Sequence, residues 1–502
     1  MRIHPIVPGI VLALAIVRLL VEGASWLTFV SIPLAMLWLV VEIRGWQLRR
    51  ESESSDAPDS LPPPPPLART PEQTRELRAA VDVIKRMRAD RLRPPPPLPG
   101  EAEILATAKP AILVRRADLP VPLDHPSRSY IGGLPRLPAE LPWPTIEKYE
   151  RYSLTFLAQI DLAELPAIEA SPLPRSGTLF FFGDMTDEAP EPSACRVLYY
   201  AGDSARVPIR DLPTDIRPYG ALPSTWFEED SLWARTGFRF PIEFAVFDSY
   251  RDYTVEEGAN VPPRRNREVF EKLMSAEYTR RFGVPEPALE PAGRALSKAG
   301  DEWPFAWVAV EYAARQLAYT VRSATARQPA EVVNEYQAIL DAAANWLERA
   351  SREAPCTRCD DATRAGFAQQ WRELAAAYES AASRHQLHPR YLGDLLFDIM
   401  LAACHTCATY GATDLIPPIY RDALRYYNDP AVHFPMHQML GHGEKVQWAP
   451  IEYAAQELLL QFMGDVGLGW FTDGGCVLQF WVDPAAARRA DFSQVAMTLE
   501  SD

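Results

Sequence analysis

Two distant blocks of this chain repeat one pattern, and that repeat constrains the fold more than any other feature. The first reads LTFLAQIDL over 154–162, then SGTLFFFGD over 176–184. The second reads ELLLQFMGD over 457–465, then GGCVLQFWVD over 474–483. Each consists of short apolar runs bounded by Gly, Pro or Asp, the signature of strands. Gln159 and Gln461 fall at matching places, and so do Gly177 and Gly475. A duplicated unit buries its apolar face against its twin. The repeat therefore predicts one domain of two similar halves, joining 111–212 to 433–500 across the chain between them.

That intervening chain opens with another strand-like run, Phe238 to Phe247. From about residue 303 its period changes to that of a helix. Val310, Ala314, Leu317 and Val321 share one face, as do Phe367, Trp371, Leu374 and Tyr378, and then Leu392, Leu395, Leu396 and Ile399. The pattern predicts four to six helices inserted into the β domain or docked on it.

The amino-terminal end belongs to a different solvent. Residues 5–21 and 26–43 are apolar, each near the lower length limit for crossing a bilayer, with Glu22-Gly23-Ala24-Ser25 between them. They read as a transmembrane helical hairpin. Arg2 precedes the first stretch, and Arg44, Arg49 and Arg50 follow the second. The positive-inside rule then places both termini in the cytoplasm, with the inner (cell) membrane bilayer as a partner. Arg18 sits near the outer interface, four residues before Glu22. Spacers follow: Pro62 to Pro66 and Pro94 to Pro97 are stiff polyproline runs. Between them Leu77, Val81, Ile84 and Met87 mark an amphipathic helix whose other faces are rich in Arg and Lys.

The expected architecture is thus α+β. A hairpin occupies 1–50, a Pro-rich linker with a basic helix 51–104, the first part of the β-rich domain 105–300, a helical insertion 301–432 and the second part 433–502.

Charge narrows the partners. The chain carries −15, yet residues 1–100 hold 13 Lys/Arg against 10 Asp/Glu, so the remainder carries −18. An acidic body of that kind argues against nucleic acid, whose phosphates need a basic surface. A protein or small-molecule partner stays open.

Six cysteines are present, four of them in Cys356-Thr-Arg-Cys359 and Cys404-His-Thr-Cys407. Two such pairs can hold a structural zinc tetrahedrally if two helices bring them together. Apolar packing and a redox pair are the alternatives, and no other cofactor is expected. His433 and His437 have metal-like spacing, broken by Pro435. His437 is a candidate base or ligand-binding residue, close to His442 and Gln447. Gln159 and Gln461 interrupt buried runs, so each amide must find partners, either backbone across the two units or a polar ligand. Trp143, between two prolines, and Asp473, before Gly474-Gly475, complete the ligand-binding candidates. No phosphate-binding loop, nucleophile elbow, H-E-x-x-H zinc motif, EF-hand or dinucleotide fingerprint is present.

SYIGGLPRLPAELPWP (129–144), LTFLAQIDLAELP (154–166), LPRSGTLFFFGD (173–184), HQMLGHGEKVQ (437–447), LLLQF (458–462) and DGGCVLQFWVDPAAARRADFSQV (473–495) together resemble the YwqG-like family of bacterial proteins. That resemblance implies a β-rich α+β fold and no established activity, catalytic residue or cofactor. Three functions remain. The first is a non-catalytic binding or interaction module tethered to the membrane and facing the cytoplasm. The second is an enzyme, such as a hydrolase, with an unrecognised site drawing on His437, Asp473 and Asp161. The third is a structural role in the envelope.

Overall fold

A computed structural model describes residues 101–502 except 149, 170, 186–192, 217–236, 252–263, 284–293, 299, 386, 388–394, 430–436, 466, 470–475 and 502. The expected hairpin, the polyproline spacers and the basic helix lie outside the described residues. Among the described residues no helix is long and apolar enough to cross a membrane.

Ten strands form one antiparallel sheet. Five belong to the second block and its neighbour: β1 (Lys109–Arg116), β9 (Gln438–Leu440), β10 (Glu457–Met463), β11 (Val477–Val482) and β12 (Ala496–Glu500). Five belong to the first: β2 (Tyr130–Ile131), β5 (Thr155–Asp161), β6 (Thr178–Gly183), β7 (Cys195–Tyr200) and β8 (Phe240–Ser249). A separate hairpin pairs β3 (Thr145–Glu147) with β4 (Arg151–Ser153). The spatial order is β12-β11-β10-β9-β1-β8-β2-β5-β6-β7. It reads as the same five-strand unit from either end, with a local twofold between β1 and β8. The strand-like run read at Phe238–Phe247 is the innermost strand of its half.

The internal repeat extends to a defect. The β5–β6 pairing slips between Phe156 and Ala158, and the β10–β11 pairing slips between Leu458 and Leu460. A bulge turns two consecutive side chains to one face. Leu157 and Ala158, and likewise Leu459 and Leu460, all enter the main core. Alternation then sends Gln159 and Gln461 to the opposite face. Register aligns Thr178 with Val477, opposite Asp161 and Met463. Gly177 therefore corresponds to Cys476, one residue later than the sequence comparison suggested.

The sheet curls so that its two ends face each other. The rings of Phe181 and Phe480, equivalent residues seven strands apart in the sheet order, meet at 5.3 Å. A Cβ at Gly183 would come within 2.9 Å of Met497 Sδ, so β6 and β12 come into side-chain contact across the curl. The inner face shares one core with the helices: α3 (Trp307–Thr325), α4 (Ala330–Glu335), α5 (Gln337–Ala350), α6 (Asp361–Arg384), α7 (Leu395–Thr409) and α8 (Pro418–Tyr427). These six helices fall in the stretch whose period changes to that of a helix. Helix α6 starts where Asp360 accepts the Thr363 N–H at 2.7 Å. Helix α7, apolar on nearly every face, is buried along its length.

The outer face is covered in patches. Helices α1 (Glu101–Leu105) and α2 (Arg264–Phe282) pack over Ala111, Leu113 and Phe247. An aromatic cluster covers the first half and a smaller one, beside α9 (Ala449–Glu452), covers the second. Helix α10 (Pro484–Arg488) follows β11.

Candidate functional site

The two glutamines hold equivalent loops. Gln159 Oε1 accepts the Arg136 N–H at 3.0 Å, and Gln461 Oε1 accepts the Glu444 N–H at 2.7 Å. Each loop leaves a short strand through two left-handed residues. These are Gly132 and Gly133, both at φ +70°, in the first half. They are Leu440 at +59° and Gly441 at +72° in the second. A Cβ at Gly441 would stand 2.6 Å from Ala111 Cβ, so only glycine fits. The carbonyl two residues after the left-handed pair begins is bonded in both: Tyr130 Oη donates to Leu134 O at 3.0 Å, and Gln438 Nε2 to His442 O at 2.6 Å.

These bonds align the halves residue by residue, and the alignment exposes a difference. In the first half the outer cap is apolar: Tyr130, Leu137, Phe156, Phe180 and Phe182 cluster. The Trp143 ring meets Phe182 edge-on at 5.4 Å, and its Nε1 donates to Leu154 O at 2.8 Å. In the second half Tyr130, Leu134, Leu137 and Phe180 are replaced by Gln438, His442, Lys445 and Gln479. Lys445 is 4% exposed, nearly as buried as Leu137 at 1%. Burying polar groups costs free energy that an apolar set avoids. The first half shows that this frame closes without them.

A cleft of about 130 Å³ opens at this polar cap, lined by Lys109, Arg251, His442, Lys445, Tyr453 and Trp481 among others. Tyr453 stacks on Trp481 at 5.6 Å and 14°. Lys109 Nζ reaches Glu457 Oε1 at 2.6 Å. His442 Nε2 donates to Thr107 O at 2.8 Å. Burial lowers the His442 pKa; the Thr107 bond opposes this, and the charges of Lys109 and Arg251 add to it. The ring is therefore neutral at pH 7. Beneath it, Gln479 Nε2 bonds Glu444 O at 2.7 Å and Gln461 Oε1 at 2.9 Å. The buried Gln479 Oε1 has no hydrogen-bond partner among the described residues.

A single family profile spans residues 129–500, from the start of β2's approach to the end of β12. The chain belongs to the family described as a domain of unknown function (DUF1963). No curated protein matches it. The DUF1963 region therefore includes the whole five-strand arm of the first half, four strands of the second and the helices between them, while β1 precedes it.

Within the DUF1963 domain the other sequence candidates fall in separate places. Gln159 and Gln461 are fully buried, and their amides serve the loops of their own halves rather than backbone across the two units. His437 corresponds to Ser129. Ser129 Oγ accepts the Asp161 N–H at 2.9 Å, and His437 Nδ1 accepts the equivalent Met463 N–H at 3.0 Å. Its Nε2 donates to Asp465 at 3.2 Å, and Arg116 grips Asp465 with two bonds of 2.7 and 2.9 Å. Burial alone would raise the Asp465 carboxyl, but Arg116 and His437 hold it well below the usual carboxylate range. Both ring nitrogens of His437 are thus engaged in a buried clasp, and neither it nor Asp161 lines the cleft. Asp473 lies outside the described residues, as does His433.

The structure brings one cysteine of each pair together. Cys356 shares a hydrogen bond with Cys407, one residue from each pair. Burial pushes the Cys359 thiol up to about 12 and raises Cys404 further. Among the described residues no three His, Cys, Asp or Glu side chains are placed to hold a metal ion. The surroundings of the cysteines are apolar, in the core shared by α3 and α7.

The sequence named His442 only as a neighbour of His437 and passed over Gln438, Lys445 and Gln479. The signal that finds them is the comparison between repeats: polar residues in one half where its twin is apolar.

Proposed function

We propose that this chain is a membrane-tethered binding module of the YwqG-like type, facing the cytoplasm, with its recognition site in the second half of the curled sheet. One observation carries the reading: on a duplicated frame, the second copy alone trades an apolar cap for Gln438, His442, Lys445 and Gln479 beside a cleft. The charge asymmetry around residues 5–43 supports the tether and its orientation. An enzyme is the second reading, favoured by one feature, the neutral His442 set among cations, which is the state a general base needs.

The test uses the full chain in detergent micelles, heated with the low-molecular-weight fraction of a cell extract. Mass action raises the melting temperature when a ligand binds the folded state. The wild type should shift upward and His442→Leu, which installs the first half's residue, should not. An equal shift in both, or none in the wild type, would reject the site.

A further inference from the structure

We infer that Cys356 and Cys407 form a peroxide-responsive disulfide site, in which a hydroperoxide oxidises Cys356 and Cys407 resolves it to an S–S bond.

The sequence pairs Cys356 with Cys359 and Cys404 with Cys407, but the fold crosses the pairs. Residues 355–359 are laid over the start of α3. The Val308 N–H donates to Pro355 O at 2.8 Å, the Trp307 N–H to Thr357 O at 3.1 Å and the Cys359 N–H to Phe305 O at 3.3 Å. One turn along α3 from Val308, Tyr312 Oη meets Thr406 Oγ1 of α7 at 2.8 Å. Cys356 and Cys407 are each next in sequence to one of these anchored residues, so both are held at the same end of α3. There the two side chains share a hydrogen bond. Both are free thiols. An S–S bond of about 2 Å then needs only a closer approach of side chains already in contact.

Exposure assigns the roles. Cys356 is half-buried, whereas Cys359, Cys404 and Cys407 are buried. An oxidant from solvent therefore meets Cys356 first. The hydrogen bond that Cys407 donates favours the Cys356 thiolate, against the opposing effect of burial. The thiolate attacks one oxygen of hydrogen peroxide, the O–O bond breaks, hydroxide leaves, and Cys356 becomes a sulfenic acid. The Cys407 sulfur then attacks the Cys356 sulfur. Its proton leaves with the hydroxyl group as water, and the disulfide forms. Two thiols are oxidised while one peroxide is reduced to two waters. A small thiol reverses the bond by exchange.

The disulfide ties the connection between α5 and α6 to the last turn of α7, two residues beyond His405. A packing contact becomes a covalent link for as long as oxidant is present. None of the four cysteines lines the cleft, so this site and the binding module stand or fall separately.

Peptide mapping of the full chain in micelles, with a chelator present, tests the site. After limiting hydrogen peroxide and alkylation, mass spectrometry should find two peptides joined through Cys356 and Cys407, and dithiothreitol should separate them. Cys407→Ala removes the resolving thiol, so dimedone labelling of the Cys356 sulfenic acid should rise about tenfold or more over wild type. Cys356→Ser should leave Cys407 unoxidised. Cys476, the other half-buried cysteine, controls for exposure alone. Oxidation of Cys476 as fast as Cys356, a wild-type disulfide in any other pair, or no gain of sulfenic acid in Cys407→Ala would each overturn the inference. If the buried alanine variant fails to fold, the wild-type linkage and Cys356→Ser decide it: a Cys407 oxidised without Cys356 contradicts the order of steps.

Discussion

Gln159 and Gln461 are one position in a duplicated frame: each lies two residues beyond a bulge, and each accepts a loop N–H, Arg136 at 3.0 Å and Glu444 at 2.7 Å. Replacing Gln461 with Leu strands the buried Glu444 N–H, whereas the Arg136 N–H keeps a second acceptor, Tyr130 Oη at 3.1 Å, when Gln159 is replaced. Stranding a buried donor costs roughly 1–3 kcal/mol. Gln461→Leu should therefore lower the denaturation midpoint more than Gln159→Leu. Equal losses would contradict this difference between the halves.

His405 on α7 is fully buried, edge-on to Phe238 and Phe240, and neither ring nitrogen has a hydrogen-bond partner among the described residues. Burial, then the charge of Arg116, depresses its pKa to about 3. The unfolded ring titrates near 6.5, so below that pH the unfolded state takes up a proton that the fold refuses. Stability from this group is present above pH 6.5 and falls as pH drops toward 3. Between pH 7 and pH 5 the loss is about 2 kcal/mol. Urea unfolding of His405→Leu should show a pH dependence flatter by that amount; an unchanged slope would show that His405 is not buried neutral.

At His437 the first half supplies the substitute. His437→Ser keeps an acceptor of the kind Ser129 gives to Asp161, while His437→Ala keeps none. Both lose the bond to Asp465, which retains Arg116. The serine variant should be more stable than the alanine variant by about 1 kcal/mol, the worth of one net hydrogen bond. Equal melting temperatures would contradict the equivalence of Ser129 and His437.

On the proposed topology, which rests on Arg2 and on Arg44, Arg49 and Arg50, alkaline phosphatase fused after residue 60 should be inactive. Deleting residues 1–50 should move the protein to the soluble fraction. High phosphatase activity would reverse the orientation.

Much of the architecture was legible because its signals are local. Strand runs at 154–162 and 457–465, the glutamines in them and the helical periods after 303 all lie within short windows of sequence. The site was harder to read, for a physical reason. Gln438 and Gln479 look like ordinary polar residues until strand register sets them against Tyr130 and Phe180. Lys445 in a loop reads as solvated, and only tertiary packing buries it. The cysteine pairs showed spacing alone, which cannot tell which sulfurs come together; folding sets Cys356 against Cys407.

The central claim, that the second half is the first half's frame refitted with polar groups, is tested most directly by a double-mutant cycle of Gln438→Tyr and Gln479→Phe, measured by equilibrium unfolding. Gln479→Phe alone removes the donor to Gln461 Oε1 and Glu444 O. Adding Tyr at 438 restores what Tyr130 Oη does for Gln159 Oε1 at 2.8 Å. The account predicts a double variant more stable than Gln479→Phe, with a coupling energy of about 1 kcal/mol or more. Additive destabilisation would show that the two halves share a strand order without sharing a frame.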